Sequence, residues 1–363
     1  MGKTASGLAF ENHDLKAEAP EARAPAIRFA FEFPRLLEDF RAADARANEA
    51  KRSSRRTGYL AISLVLIALL IASAAPVWHE LHLAHEAIAV LGYLSAILGI
   101  IGAILAFLGM RKSSSLRIWL RNRLTTESMR LFHFQYLAAR LPELASIRSN
   151  EAKKAAYLAR RDEAYTKLKG GLLTDPEAEI TRIAARSQPH DYRDVPEAPV
   201  TGEEEDDVAA SAMEAWRVLR LDWQLGYAEA LLARKRQGKR VSAYQTEYAF
   251  SIFGWTCVAV IVGLHIAQFA VEPLHLSRAW MEVAVIWTAL AALAGRALEE
   301  GLQPQREVER YEHYRASIIV TEARFQAANG FPAKLEVVRA FERNSIEEMR
   351  IFMRTHARSR FML

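Results

Sequence analysis

Cysteine occurs once in the 363 residues, at Cys257, so no disulfide can form within the chain. No run of alternating apolar and polar residues suggests a strand, which excludes sheet folds and the strand-borne sites they carry. Gly2-Lys3-Thr4 has no glycine loop before it to cradle a phosphate. A serine nucleophile elbow is also missing, and Cys257 lies in an apolar block with no base nearby in sequence. Haem held between apolar helices needs paired histidines, and only His265 lies well inside such a block. These absences leave no catalytic residue and no cofactor to expect. The amino-terminal MGKTASGL lacks the basic, apolar and cleavable order of a secretory signal. It fits a loose myristoylation pattern through Gly2 and Ser6, which we read as chance beside stronger membrane anchors.

Charge of one sign is scarce as well. The net charge is +5, and Asp and Glu intersperse the Arg and Lys of the polar stretches, so no wide basic face favours nucleic acid. The clusters of one sign sit where apolar runs end. Lys51, Arg52, Arg55 and Arg56 precede residues 59–75, and Arg111, Lys112, Arg117, Arg121 and Arg123 follow residues 87–110. Arg234, Lys235, Arg236, Lys239 and Arg240 precede the third run, residues 250–271; the fourth covers 279–295. Each run approaches the ~20 apolar residues that cross a hydrocarbon core of about 30 Å. The loops around 76–85 and 272–278 hold one Arg and no Lys, so the positive-inside rule puts both termini in the cytoplasm. The expected fold is an all-α integral membrane protein, and Ala- and Arg-rich usage points to a bacterial inner membrane. Its four transmembrane helices form two hairpins, and long cytoplasmic helices form a bundle.

Small residues are ordered within the spans. Gly92, Ser95, Gly99, Gly102, Ala106 and Gly109 step by three and four down the second span, and Ala284, Thr288, Ala291 and Gly295 do so on the fourth. Such stripes let helix backbones approach closely in lipid, either inside a hairpin or between subunits of a homo-oligomer. On the third span Gly254, Cys257, Ile261, His265, Gln268 and Glu272 share a face, and Glu282 lies near the outer boundary of the fourth. Cys257, His265, Gln268, Glu272 and Glu282 are the candidate polar or pore-lining residues. Hydrogen bonds to a neighbouring helix, or from Glu282 to Arg278 or headgroups, are the plainer alternative. His79, Glu80, His82, His85 and Glu86 crowd the first outer loop as HELHLAH, which lacks H-E-x-x-H spacing; no metal site is expected.

The polar stretches divide as a tail (1–33), a first helical unit (34–168), a linker (169–207) and a second unit (208–363). The linker holds Gly170-Gly171, four prolines and the acidic run Glu203-Glu204-Glu205-Asp206-Asp207. In the first unit Leu120, Leu124, Leu131, Phe134, Ala138 and Leu141 form a seam before Pro142. In the second, Tyr311, Tyr314, Ile318, Thr321, Phe325 and Ala328 do the same before Asn329-Gly330 and Pro332, and a further helix covers about 333–356. Both seams suit either an intramolecular bundle or a coiled interface. The shared layout, with Glu80-Leu81-His82-Leu83 beside Glu272-Pro273-Leu274-His275-Leu276, suggests an internal duplication.

A charged helix containing Asp222-Trp223-Gln224-Leu225-Gly226-Tyr227-Ala228-Glu229-Ala230, then an apolar hairpin, then a long amphipathic helix, resembles the SLATT family. These are the SMODS- and SLOG-associating two-transmembrane effectors. Phe40-Arg41-Ala42-Ala43 opens a similar, weaker copy, so the resemblance covers two tandem units, about 34–168 and 213–356. It implies a non-enzymatic, pore-forming or membrane-disrupting effector in bacterial conflict or anti-phage signalling, and supplies no catalytic residues. The chain shows no sensor domain of its own, so an upstream sensor or nucleotide-signalling partner is expected beside the lipid bilayer. The alternative is a membrane-anchored scaffold that recruits a partner through its cytoplasmic helices.

Overall fold

The computed structural model of the chain describes residue 15 and residues 27–111, 114–147, 150–174, 207–234, 241–268 and 277–357. These residues are almost entirely helical and contain no strand. A short α1 (Arg28–Phe31) precedes α2 (Pro34–Ser73), which opens on a proline, where a missing N–H leaves no intrahelical bond unmade. Next come α3 (Ala75–Glu80), a turn with His82 in the left-handed region at φ 55°, and α4 (His85–Arg111). Then follow α5 (Ser114–Ile147), α6 (Glu151–Thr174), α7 (Asp207–Arg217), a π-helical turn (Val218–Asp222) and α8 (Trp223–Leu232). The chain continues with α9 (Ala243–Gln268), α10 (Arg278–Leu302), α11 (Pro304–Ala327) and α12 (Gly330–Ala357).

Local chemistry sets several boundaries. The Ser277 hydroxyl caps α10 by accepting from the Trp280 N–H at 3.3 Å. At its far end Gln303 turns left-handed, φ 50°, and donates its N–H to the Glu299 carbonyl at 2.7 Å. Pro304 then starts α11. Gly330, at φ 77°, supplies the conformation that separates α11 from α12.

Four helices are long and apolar enough to cross a membrane: the later part of α2, α4, α9 and α10. Much of their apolar surface is exposed. On α4 it includes Val90, Ile97, Ile101, Ile104 and Phe107; on α9, Ile252, Val258, Val262 and Ile266. Left in water, each would forgo roughly 1.5–3 kcal/mol of burial, and an exposed field of this size suits hydrocarbon.

The chain separates into two compact units, neither continuous in sequence. A charged unit comprises Met1–Asn48, Ile118–Ser242 and Val308–Ala357; an apolar unit comprises Glu49–Arg117, Ala243–Glu307 and Arg358–Leu363. The tandem division expected from sequence cuts across both, because each unit draws on both halves of the chain. The core of the charged unit includes Leu36 and Phe40 of α2, Phe134, Leu137 and Leu141 of α5, and Trp216 of α7, with Ile318 and Phe325 of α11 and Val338 of α12.

Three boundaries differ from the sequence reading. Ile27, Ala30 and Phe33, assigned to a polar tail, are buried in this core. The α5 helix runs through Pro142 to Ile147, because burying Leu141, Leu144 and Ile147 outweighs the one backbone bond that proline removes. The α6 helix runs past Gly170-Gly171 to Thr174, and Lys169, expected to open the linker, holds Asp39 at 2.7 Å. The rest of the linker before Asp207 lies outside the described residues, as do Val271 and Glu272.

Candidate functional site

Within the apolar unit α4 meets the later part of α2 along the small-residue stripe. The Ser95 hydroxyl donates to the Ala68 carbonyl at 2.8 Å. A methyl placed on Gly99 would touch the Ala68 Cβ at 3.6 Å. On Gly102 it would lie 2.7 Å from Val65 Cγ2, 3.0 Å from the Val65 nitrogen and 3.2 Å from the Ala61 carbonyl oxygen. Gly102 is therefore the point where only hydrogen fits between the backbones. Ala106 is half-buried, while Gly92 faces open space, so the stripe lies against α2 over only part of its length. The side of Gly109 lies outside the described residues.

The α2 helix also meets α10. Ile62 and Leu66 of α2 pack with Ala294, Ala297 and Leu298 of α10. The Trp287 indole N–H reaches both the Leu70 carbonyl and the Ser73 hydroxyl, each at 3.1 Å. Beyond the helix ends, the Ser277 hydroxyl donates to the Glu80 carboxylate. The α10 helix in turn lies on α9 at Gly295, where a methyl would come within 2.4 Å of the Phe253 ring. Contacts thus link α4 to α2, α2 to α10, and α10 to α9. Trp287 was not singled out from sequence; a tryptophan within an apolar span, with an N–H that lipid cannot accept, was the available signal.

The candidate polar face is not uniform in exposure. Cys257 is buried, whereas Gly254, His265 and Gln268 are exposed. Eight residues separate Cys257 from His265, and at about 100° per residue this rotates the histidine about 80° off the packed stripe. His265 Nδ1 lies 2.8 Å from the Ile261 carbonyl of its own helix, which leaves Nε2 pointing away from that bond. Glu282 is exposed and pairs with Arg278 at 3.0 Å, one turn back on α10. Among the described residues no three His, Cys, Asp or Glu side chains gather as a metal site, and His79, Glu80, His82, His85 and Glu86 all stand exposed.

The charged unit holds a buried polar centre that sequence reasoning missed. Arg220, in the π-helical turn, donates from Nε and Nη2 to the two Glu342 oxygens at 2.8 and 3.0 Å. Trp216 Nε1 donates to the same carboxylate at 2.9 Å, and the guanidinium lies 4.6 Å over Phe134. The signal was two arginines in the otherwise apolar stretch around Trp216-Arg217-Val218-Leu219-Arg220-Leu221. Gln224 and Tyr227, which carry the family resemblance, face α11: Tyr314 donates to the Gln224 side-chain oxygen at 3.1 Å, and Tyr227 meets Tyr311 edge-on.

Electrostatics follow this burial. Burial alone would raise the Glu127 carboxyl, but Arg123 and Arg130 outweigh it and hold the group below its ordinary range. His133 is pushed down to about 3 by burial, with Arg161 and Arg220 adding to the effect, so the ring is neutral at physiological pH. Glu127 is thus held charged between two arginines and His133 neutral.

No family model, curated protein or solved structure matches this chain.

Proposed function

We propose that the chain is a non-enzymatic membrane effector that assembles into a homo-oligomeric pore, with both termini in the cytoplasm of a bacterium. The observation that carries this reading is the exposure of His265 and Gln268 on a helix of spanning length. Lipid tails cannot hydrogen-bond such groups, so water or another copy of the chain must. The Lys and Arg that flank the apolar runs support the orientation. The layout shared with SLATT effectors supplies the setting, bacterial conflict signalling triggered by a nucleotide-signalling partner. The two seams that motivate the scaffold alternative are largely buried, at Leu120, Leu124, Leu131, Phe134, Ala138 and Leu141 and at Tyr311, Tyr314, Ile318 and Phe325, with Thr321 and Ala328 half-buried; this lends the scaffold less support than the pore.

The test is membrane potential and impermeant-dye uptake in bacteria expressing graded amounts of the chain, beside a His265→Leu, Gln268→Leu double variant. High concentration partly replaces a missing activator by mass action. Depolarisation that rises with dose and is lost in the variant, at equal membrane abundance, supports the pore and this face of α9. Equal leakage from both proteins removes the face from the mechanism; no leakage at any dose argues against a pore.

A further inference from the structure

A cleft of about 560 Å³ opens between α11 and α12 in the charged unit, within the size range of small-molecule sites. Its wall includes His313, Asn344 and Arg350, and beside them a set of acceptors on both helices. On α11, Ser317 donates its hydroxyl to the Tyr314 carbonyl and Thr321 donates to the Ser317 carbonyl, each at 2.8 Å. On α12, Ser345 donates to the Phe341 carbonyl at 3.0 Å and accepts from Arg220. With their protons committed to the backbone, the Ser317 and Thr321 oxygens can only accept from a ligand.

The charges are polarised the same way. Glu348 pairs with Arg310, and Glu347 pairs with Arg350 at 2.5 Å. The arginine side chains are 7% and 3% exposed, Arg350 among the lining residues, while the carboxylates are 20% and 39% exposed. Each pair therefore turns its negative end toward solvent. Among the described residues, the second oxygen of each carboxylate accepts no hydrogen bond. Phe341, Tyr314 and Ile351 supply apolar wall beside these acceptors.

We propose that this cleft binds an organic cation carrying primary ammonium groups on an aliphatic chain, a linear polyamine. Its ammonium groups, which donate three hydrogen bonds each and accept none, match Glu347, Glu348, Ser317 and Thr321. Its methylenes lie along Ile351 and Phe341. An anion would meet the exposed carboxylates. A compact metal ion would lack a ligand set, since no three acidic or histidine side chains converge here among the described residues.

The test is equilibrium binding of spermidine to the full chain in nanodiscs of zwitterionic phosphatidylcholine, which removes anionic lipid as a competing site. It is independent of whether the chain conducts. Saturable binding near one per chain is expected, weakened about tenfold by Glu347→Gln and severalfold by Thr321→Val. Glu347→Gln takes a partner from the buried Arg350, so it is compared only as folded, monodisperse protein; Thr321 is in no ion pair, and Thr321→Val leaves every charge in place. Magnesium at equal charge should not displace the ligand. No saturable binding, binding equal in all three proteins, or full displacement by magnesium would overturn the proposal.

Discussion

Gly92, Gly99 and Gly102 make a graded experiment on one helix. An added methyl meets nothing within 4 Å at Gly92, an ordinary contact with Ala68 at Gly99, and the Val65 and Ala61 backbone at Gly102. Alanine in a helix interior is favoured over glycine by roughly 0.5–1 kcal/mol, so Gly92→Ala should be neutral or slightly stabilising. Gly99→Ala gains that preference and a methyl contact. At Gly102 the backbones must part by several tenths of an ångström, and overpacking of this kind costs about 1–3 kcal/mol. The double variant Val65→Ala, Gly102→Ala should recover part of the loss, since it removes Cγ2 but leaves the 3.0 Å approach to the Val65 nitrogen. Thermal unfolding of the purified proteins in one detergent, followed by the loss of the monodisperse chromatographic peak, ranks the four. A Gly102→Ala protein as stable as Gly92→Ala would refute the close approach of α4 to α2.

Glu342→Gln leaves the Arg220 charge buried without its counter-ion and should cost about 3–5 kcal/mol in denaturant unfolding of the charged unit; Arg220→Met with Glu342→Leu should restore most of it. Lowering the pH should destabilise the chain through His133. Its folded value of about 3 lies below the unfolded 6.5, so the unfolded state binds the extra proton across that window. The stability it contributes is complete above pH 6.5 and falls as pH drops, by about 2 kcal/mol at pH 5. A His133→Leu variant whose unfolding shows the same loss between pH 7 and pH 5 would exclude that assignment. Trp287→Phe, which removes the indole donor to Leu70 and Ser73, should lose about 0.6–1.7 kcal/mol, measured by the same thermal unfolding.

The helices themselves were legible from the apolar blocks: residues 87–110 became His85–Arg111, and Gly330 with Pro332 marked the break before the last helix. Both seams were read from three-and-four spacing, and their large side chains are buried. What periodicity left open was the choice of neighbour. Whether Leu120–Leu141 packs within its chain or on another copy depends on contacts far apart in sequence. One such contact is Gln135 donating to the Glu342 carbonyl at 3.0 Å. Breaker residues were overrated for a related reason. Pro142 and Gly170-Gly171 sit in helices whose flanks are tied by Leu144 in the core and by the Lys169–Asp39 pair. On α9 the two successive steps of four from Cys257 through Ile261 to His265 turn the histidine about 80°, which places a buried cysteine and an exposed histidine in one row of the sequence pattern.

The central claim is that four helices cross the bilayer and return both termini to one side. Cysteine accessibility tests it most directly, with Cys257 replaced by serine and single cysteines introduced at Lys51, His82, Ser277 or Lys334. The account predicts that a membrane-impermeant maleimide labels His82→Cys and Ser277→Cys on intact spheroplasts, and reaches Lys51→Cys and Lys334→Cys only after permeabilisation. Labelling of Lys51→Cys or Lys334→Cys on intact spheroplasts, or protection of His82→Cys and Ser277→Cys, would contradict it.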